Sequence, residues 1–154
     1  MRGARLLLVL LTAAWIALLL AAPVSALGAP LSALTYGFGS VICHQRPERS
    51  FYLGASQLPV CARCLGLYAG AAIGAMAALL AGQVNRPHLR RLILLAALPT
   101  AITWGSELLG LWSPANATRF LAALPLGAAV ALTVNYIECA RPPRTGPSPP
   151  RIPI

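Results

Sequence analysis

Residues 65–84 read LGLYAGAAIGAMAALLAGQV, twenty positions without a charged side chain. About 20 predominantly apolar residues of helix cross the hydrocarbon layer of a bilayer, and roughly 17 is the lower limit. The stretch therefore decides the class of the protein, because a run of this length predicts a transmembrane helix. Three more segments meet the same criterion: residues 6–22, ending before Pro23; residues 92–112, after a basic turn; and residues 119–137. The whole chain of 154 residues is 58% hydrophobic and 10% charged, against roughly 25% charged in soluble domains. The expected fold is an all-α membrane protein of about four transmembrane helices, forming one domain over residues 1–140.

The loops between these helices are unequal. Ser113 and Pro114 read as N-cap and first helical position of the last span. Residues 31–42, LSALTYGFGSVI, are too short to cross; they predict an interfacial or partly buried helix that delivers Cys43. The final 14 residues, 141–154, contain six prolines and predict a disordered, polyproline-like tail.

All 12 basic residues are arginine, and the net charge is +9. They punctuate apolar runs rather than forming a stripe, which argues against nucleic-acid binding and for membrane topology. With four spans, Arg2, Arg5, Arg86, Arg90, Arg91, Arg141, Arg144 and Arg151 share one side. Arg46, Arg49, Arg63 and Arg119 lie on the other. The positive-inside rule then places both termini in the cytoplasm, the protein in the plasma (inner) membrane and residues 43–64 outside. The first segment also resembles a secretory signal, with Arg2, Arg5, an apolar core and the small residues VSA at 24–26. The length of the run favours an uncleaved anchor, and cleavage would not move the loop to the other side.

Within the opening stretch Gly66, Gly70 and Gly74 recur every four residues, continued by Ala78 and Gly82. Side chains four apart share a helical face, so the row is a groove that admits a neighbouring backbone. The neighbour is either a helix of the same bundle or a membrane partner, including a second copy of the chain.

Immediately before this helix, CHQRPERSFYLGASQLPVCARC at residues 43–64 gathers three of the four cysteines, one of the two histidines and three arginines. Cys61 and Cys64 stand three apart at a helix start, facing the same way. SFYLGASQL predicts a hairpin around Gly54 that carries Cys43 and His44 back to them. Cys43, His44, Cys61 and Cys64 are then four ligands for zinc or another transition metal. Adjacent side chains rarely turn toward one ion, so His44 is either the fourth ligand or a group orienting one.

Two other chemistries fit the same residues. A Cys-x-x-Cys pair at a helix N-terminus with Arg63 between favours a thiolate, as in membrane thiol–disulfide oxidoreductases. A relay of two pairs needs a fourth outer cysteine, however, and Cys139 lies at the inner end of the last helix. A single structural disulfide among the three outer cysteines is the plainer alternative. Glu107 and Arg119 flank one short turn on the cysteine face, where they read either as an ion pair or as catalytic candidates. Glu48 with Arg46 and Arg49 reads as a solvated cluster, and Trp15 and Trp104 as packing or interfacial residues.

CHQRPERSF at residues 43–51 and PVCARCLGLYAG at residues 59–70 resemble the hallmark of the small prokaryotic membrane proteins grouped as domain of unknown function 2085. The resemblance runs over about residues 34–129. Trp104, Gly105 and Glu107 stand where the family favours an Asp-Gly pair with a nearby Gln, and Asn116 and Arg119 match its opening of the fourth span. The family implies a multi-span membrane protein and supplies no activity. The function expected from the residues is thus metal binding at the outer face. Thiol–disulfide exchange and a structural, partner-binding subunit are the alternatives.

Overall fold

The computed structural model describes residues 2–24, 28–81 and 86–140, with the side chains of 81, 86–88 and 138–140 left aside. The tail, Gly82, residues 25–26 of the cleavage-like stretch and the side chains of Arg86, Glu138 and Cys139 lie outside the described residues. The elements, in order, are α1 (Arg2–Ala21), α2 (Ala29–Ile42), β1 (Ser50–Leu53), β2 (Ser56–Cys61), α3 (Ala62–Ala81), α4 (Arg86–Leu108) and α5 (Asn116–Ala140). The fold is mostly helical but not all-α, since β1 and β2 form an antiparallel two-stranded sheet.

Three helical stretches are long and apolar enough to cross a membrane: Arg2–Val24, Ala62–Leu80 and Asn116–Ile137. At 23 residues α4 has spanning length, but it starts in a cluster of arginines and carries Glu107 near its end. Among the described residues, three helices rather than four therefore meet the measure.

The bundle places small residues inside and large apolar ones outside. Ala75, Ala78, Ala123, Ala129 and Ala131 are almost fully buried, whereas Leu7, Leu10, Ile73, Leu80 and Leu95 are exposed. A lipid-facing surface has this pattern, because close helix packing in a bilayer comes from small residues and not from hiding leucine.

The glycine row explains the central pair. A Cβ on Gly66, Gly70 or Gly74 would stand 2.3, 2.1 or 2.4 Å from the backbone oxygen of Phe120, Leu124 or Ala128 on α5. Gly127 of α5 reciprocates, with the Leu67 oxygen 2.1 Å from its would-be Cβ. The α3 groove is thus filled by α5 of the same chain. A partner docking along Gly66, Gly70 and Gly74 has no groove left to enter.

Several element boundaries differ from the sequence expectation. α4 stops at Leu108 rather than Trp112, because Gly110 adopts φ +68. Gly110 N–H donates to the Glu107 oxygen and Leu111 N–H to that of Ser106, the paired bonds of a Schellman cap. Glu107 therefore sits in the last turn rather than well inside the helix. α5 starts at Asn116, with Arg119 N–H donating to the Ala115 oxygen. Ser113 is no cap; its hydroxyl instead accepts from Arg119 Nη2 at 3.4 Å.

The predicted short helix before Cys43 is α2, which begins with proline in its first turn and ends on Cys43. The predicted hairpin is also present, pairing Leu53 with Ser56 across Gly54 at φ +61. A two-residue turn with positive φ at its first position suits glycine. Trp15 fastens α1 to these parts, edge-on to Phe38 of α2 at 5.3 Å and to Tyr68 of α3 at 6.0 Å.

Candidate functional site

The site lies at the end of the bundle where α2 and α4 finish and α3 and α5 begin. Cys43 arrives through the close approach of α2 to β2. At Gly39 a Cβ would meet the Pro59 oxygen at 2.4 Å and Gln45 Nε2 at 2.8 Å, so only glycine lets the helix lie this near the strand. Gln45 then turns the chain, with φ +46, a left-handed conformation that costs a non-glycine residue roughly 1–2 kcal/mol.

Hydrogen bonds hold that turn. Both donors of the Gln45 amide are used, one to the Tyr36 oxygen at 2.9 Å and one to the Pro59 oxygen at 2.7 Å. The Gln57 amide donates to the Gln45 oxygen at 2.7 Å and to Ser50 Oγ at 3.1 Å. Tyr36 donates its hydroxyl to the Gln57 oxygen at 2.5 Å. The sequence offered no pattern for Gln45, Gln57, Ser50, Tyr36 and Gly39, apart from the position of Gln45 directly after Cys43 and His44.

The hairpin then delivers Cys61, paired with Ser50 at the end of the sheet, directly into α3. Cys61 and Cys64 sulfurs share a hydrogen bond at 3.5 Å, and Cys43 Sγ accepts the Cys61 backbone N–H at 3.1 Å. All three sulfurs lie within 4.8 Å of one another, with Cys43 buried and the other two half-buried. None of the three is in a disulfide. The side-chain hydrogen bond with Cys64 holds Cys61 down at about 5; burial opposes the shift and backbone N–H groups support it. His44 is exposed and borders the same pocket, outside the three-sulfur cluster.

Beside the sulfurs stands an ion network. Glu107 accepts from Arg119 at 2.5 Å and from Arg63 at 2.8 Å, with Arg49 at 3.5 Å. Its side chain is 7% exposed and that of Arg119 is 6% exposed, so this is a buried pair. Glu107 joins the last turn of α4 to the first turns of α3 and α5 and to the hairpin's approach. Arg119 also donates to Asn116 Oδ1 at 2.8 Å, and Asn116 Nδ2 donates to the Ser50 oxygen at 2.9 Å. Glu107 and Arg119 thus do pair, and both carboxylate oxygens are occupied. Arg46, Arg49, Arg63 and Arg119 border a pocket of about 350 Å³ that the three cysteines also line.

Three converging thiols in a basic pocket can bind a thiophilic cation or exchange thiols with disulfides. No solved structure matches the chain. It is 32% identical over 101 residues to an uncharacterised protein of Methanocaldococcus jannaschii, an alignment covering 59% of this chain and 60% of that one. With an uncharacterised protein of Methanothermobacter thermautotrophicus it shares 34% identity over 97 residues, 63% of this chain and 87% of the other. The family model described as "Predicted membrane protein (DUF2085)" matches residues 43–133, beginning at the first cysteine of the cluster, and the chain belongs to that family.

Proposed function

We propose that this membrane protein binds a transition metal, zinc by donor type, through Cys43, Cys61 and Cys64. The carrying observation is the mutual approach of the three sulfurs to within 4.8 Å. Tetrahedral zinc with Zn–S bonds near 2.3 Å sets its sulfurs about 3.8 Å apart, so a small rotation of side chains closes the set. His44 lines the same pocket as the three cysteines and would serve as a fourth ligand or as a group orienting one. Metal so held fastens α2, the hairpin and α3 together. Glu107 and Arg119 frame the site by fixing Arg63 and the start of α5.

The placement we infer has four spans, with α4 as the third, both termini in the cytoplasm and the cysteine site outside the plasma membrane. Residues 1–140 form the domain and residues 141–154 a cytoplasmic tail. The arginine distribution supports this orientation, and reporter fusions after Ile154 and near Ala55 test it.

Elemental analysis with a thiol count on detergent-purified protein tests the metal. The expected result is one metal per chain, lost in Cys43→Ser, Cys61→Ser and Cys64→Ser and kept in Cys139→Ser. The 3.5 Å contact of Cys61 with Cys64 and the lowered Cys61 thiol support a second reading, thiol–disulfide exchange. A metal-free protein whose Cys61 and Cys64 cycle between dithiol and disulfide would establish that reading instead.

A further inference from the structure

The pocket beside the sulfurs, at about 350 Å³, falls in the roughly 300–1,000 Å³ range of small-molecule sites. Its polar wall is cationic, made by Arg46, Arg49, Arg63 and Arg119. Among the described residues Glu107 is the one carboxylate paired with any of them. The chain has only two other acidic residues. Glu48 is exposed and does not border the pocket, and Glu138 lies about 30 Å away along α5. Four guanidinium groups against one carboxylate leave three positive charges in excess. Three thiolates around a divalent cation offset one of them, so about two remain with no paired carboxylate among the described residues.

A second observation points the same way. The Arg119 side chain is 94% buried, being 6% exposed, and its Nε–H and that of Arg63 have no hydrogen-bond partner among the described residues. Buried donors are costly to leave unmatched, and a guanidinium fork fits an oxyanion better than a point-like halide. The remaining wall includes apolar Ile42, Leu67 and Trp104.

We propose that the pocket binds a phosphate monoester, its phosphate among the guanidinium groups beside the sulfur cluster and its apolar body along Ile42, Leu67 and Trp104. A monoester carries close to two negative charges at neutral pH, matching the excess. The charge balance rests on the metal reading of the same site; the arginine geometry does not. The ligand chemistry is shared by soluble phosphate esters and by lipids with a phosphate monoester head group.

Two measurements on the full chain in detergent separate the sources. Inorganic phosphate is titrated by calorimetry, and retention of phosphatidic acid over phosphatidylcholine is read by native mass spectrometry. The expected result is binding in at least one arm, weakened about tenfold by Arg46→Gln, since Arg46 is exposed and outside the Glu107 network. Arg90→Gln, near the start of α4 at the opposite end of the bundle, should bind as wild type. Phosphatidic acid retained alone identifies a lipid, and phosphate bound alone a soluble ester. Binding in neither arm, or undiminished binding by Arg46→Gln, overturns the proposal. Metal is assayed on the same samples. Phosphate binding by a metal-free chain refutes the metal reading only, and a metal-loaded chain that binds neither probe refutes the phosphate site only.

Discussion

The side-chain amide of Gln45 donates a 2.7 Å hydrogen bond to the backbone oxygen of Pro59, two residues before Cys61. That bond ties the turn after Cys43 to the strand carrying Cys61, so the relative placement of two cysteines depends on an amide that is not itself a ligand. The second donor of the same amide holds the Tyr36 oxygen on α2.

Gln45→Glu should therefore be worse than Gln45→Ala. Alanine leaves the carbonyls of Tyr36 and Pro59 without this donor, at roughly 1–3 kcal/mol for each that stays buried. Glutamate aims a carboxylate at both of them. Thiol counting under native conditions should show Cys43 becoming reactive in Gln45→Glu while it stays protected in the wild type. A Cys43 equally protected in all three proteins would remove Gln45 from the account.

Breaking the buried network should cost more than removing it. Glu107→Gln leaves Arg119 and Arg63 without a carboxylate in a site where Arg119 is almost wholly buried. Loss of one partner of such a pair costs about 3–5 kcal/mol, whereas apolar replacement of both partners is often nearly neutral. SDS titration of the folded protein should place Glu107→Leu with Arg119→Met closer to wild type than Glu107→Gln. The reverse order would mean that the pair is solvated.

The glycine seam makes a paired prediction within one residue type. Gly70→Ala drives a Cβ to 2.1 Å from the Leu124 oxygen, and backbone cannot yield as a flexible side chain can. Gly105→Ala meets nothing within 4 Å and gains up to about 1 kcal/mol of helix propensity. Thermal melts in detergent should fall for the first and hold or rise for the second. Equal melts would mean that α3 and α5 are not in contact at this seam.

What could be read from the sequence follows from how local each feature is. The apolar runs and the four-residue glycine period are local, and so is Gly54 between two β-prone segments, so the bundle helices and the hairpin were legible. The end of α4 was not, because apolar Leu109, Leu111 and Trp112 continue the hydropathy past the Gly110 cap. The convergence of Cys43 with Cys61 and Cys64 was legible once the hairpin was assumed. The amide network that sets it was not, since Gln45, Gln57 and Tyr36 meet only across three separate elements. Glu107 carried an intramembrane signal and its Arg119 partner was expected, but its bonds to Arg63 and Arg49 depend on how α5, packed on both α3 and α4, brings the end of α4 to the start of α3.

The state of Cys61 in the reduced, metal-free protein gives the last prediction. The Cys64 thiol lowers Cys61 from 9.0 to about 5, a shift that favours its thiolate at neutral pH. Because the folded value lies below the unfolded one, its contribution to stability is complete above pH 9.0 and is lost as pH falls through about 5. Thiolate absorbance followed against pH should show one sulfur titrating near 5, and the apo protein should weaken steadily from alkaline to mildly acidic pH. Cys64→Ala removes the donor and should return that midpoint toward the ordinary thiol range and flatten the stability slope. Alkylation rate is a poorer readout, since nucleophilicity falls as thiol pKa falls, with a Brønsted slope of about 0.4–0.5, and offsets much of the gain in thiolate. A midpoint unchanged by Cys64→Ala would show that the shift does not come from the neighbouring thiol.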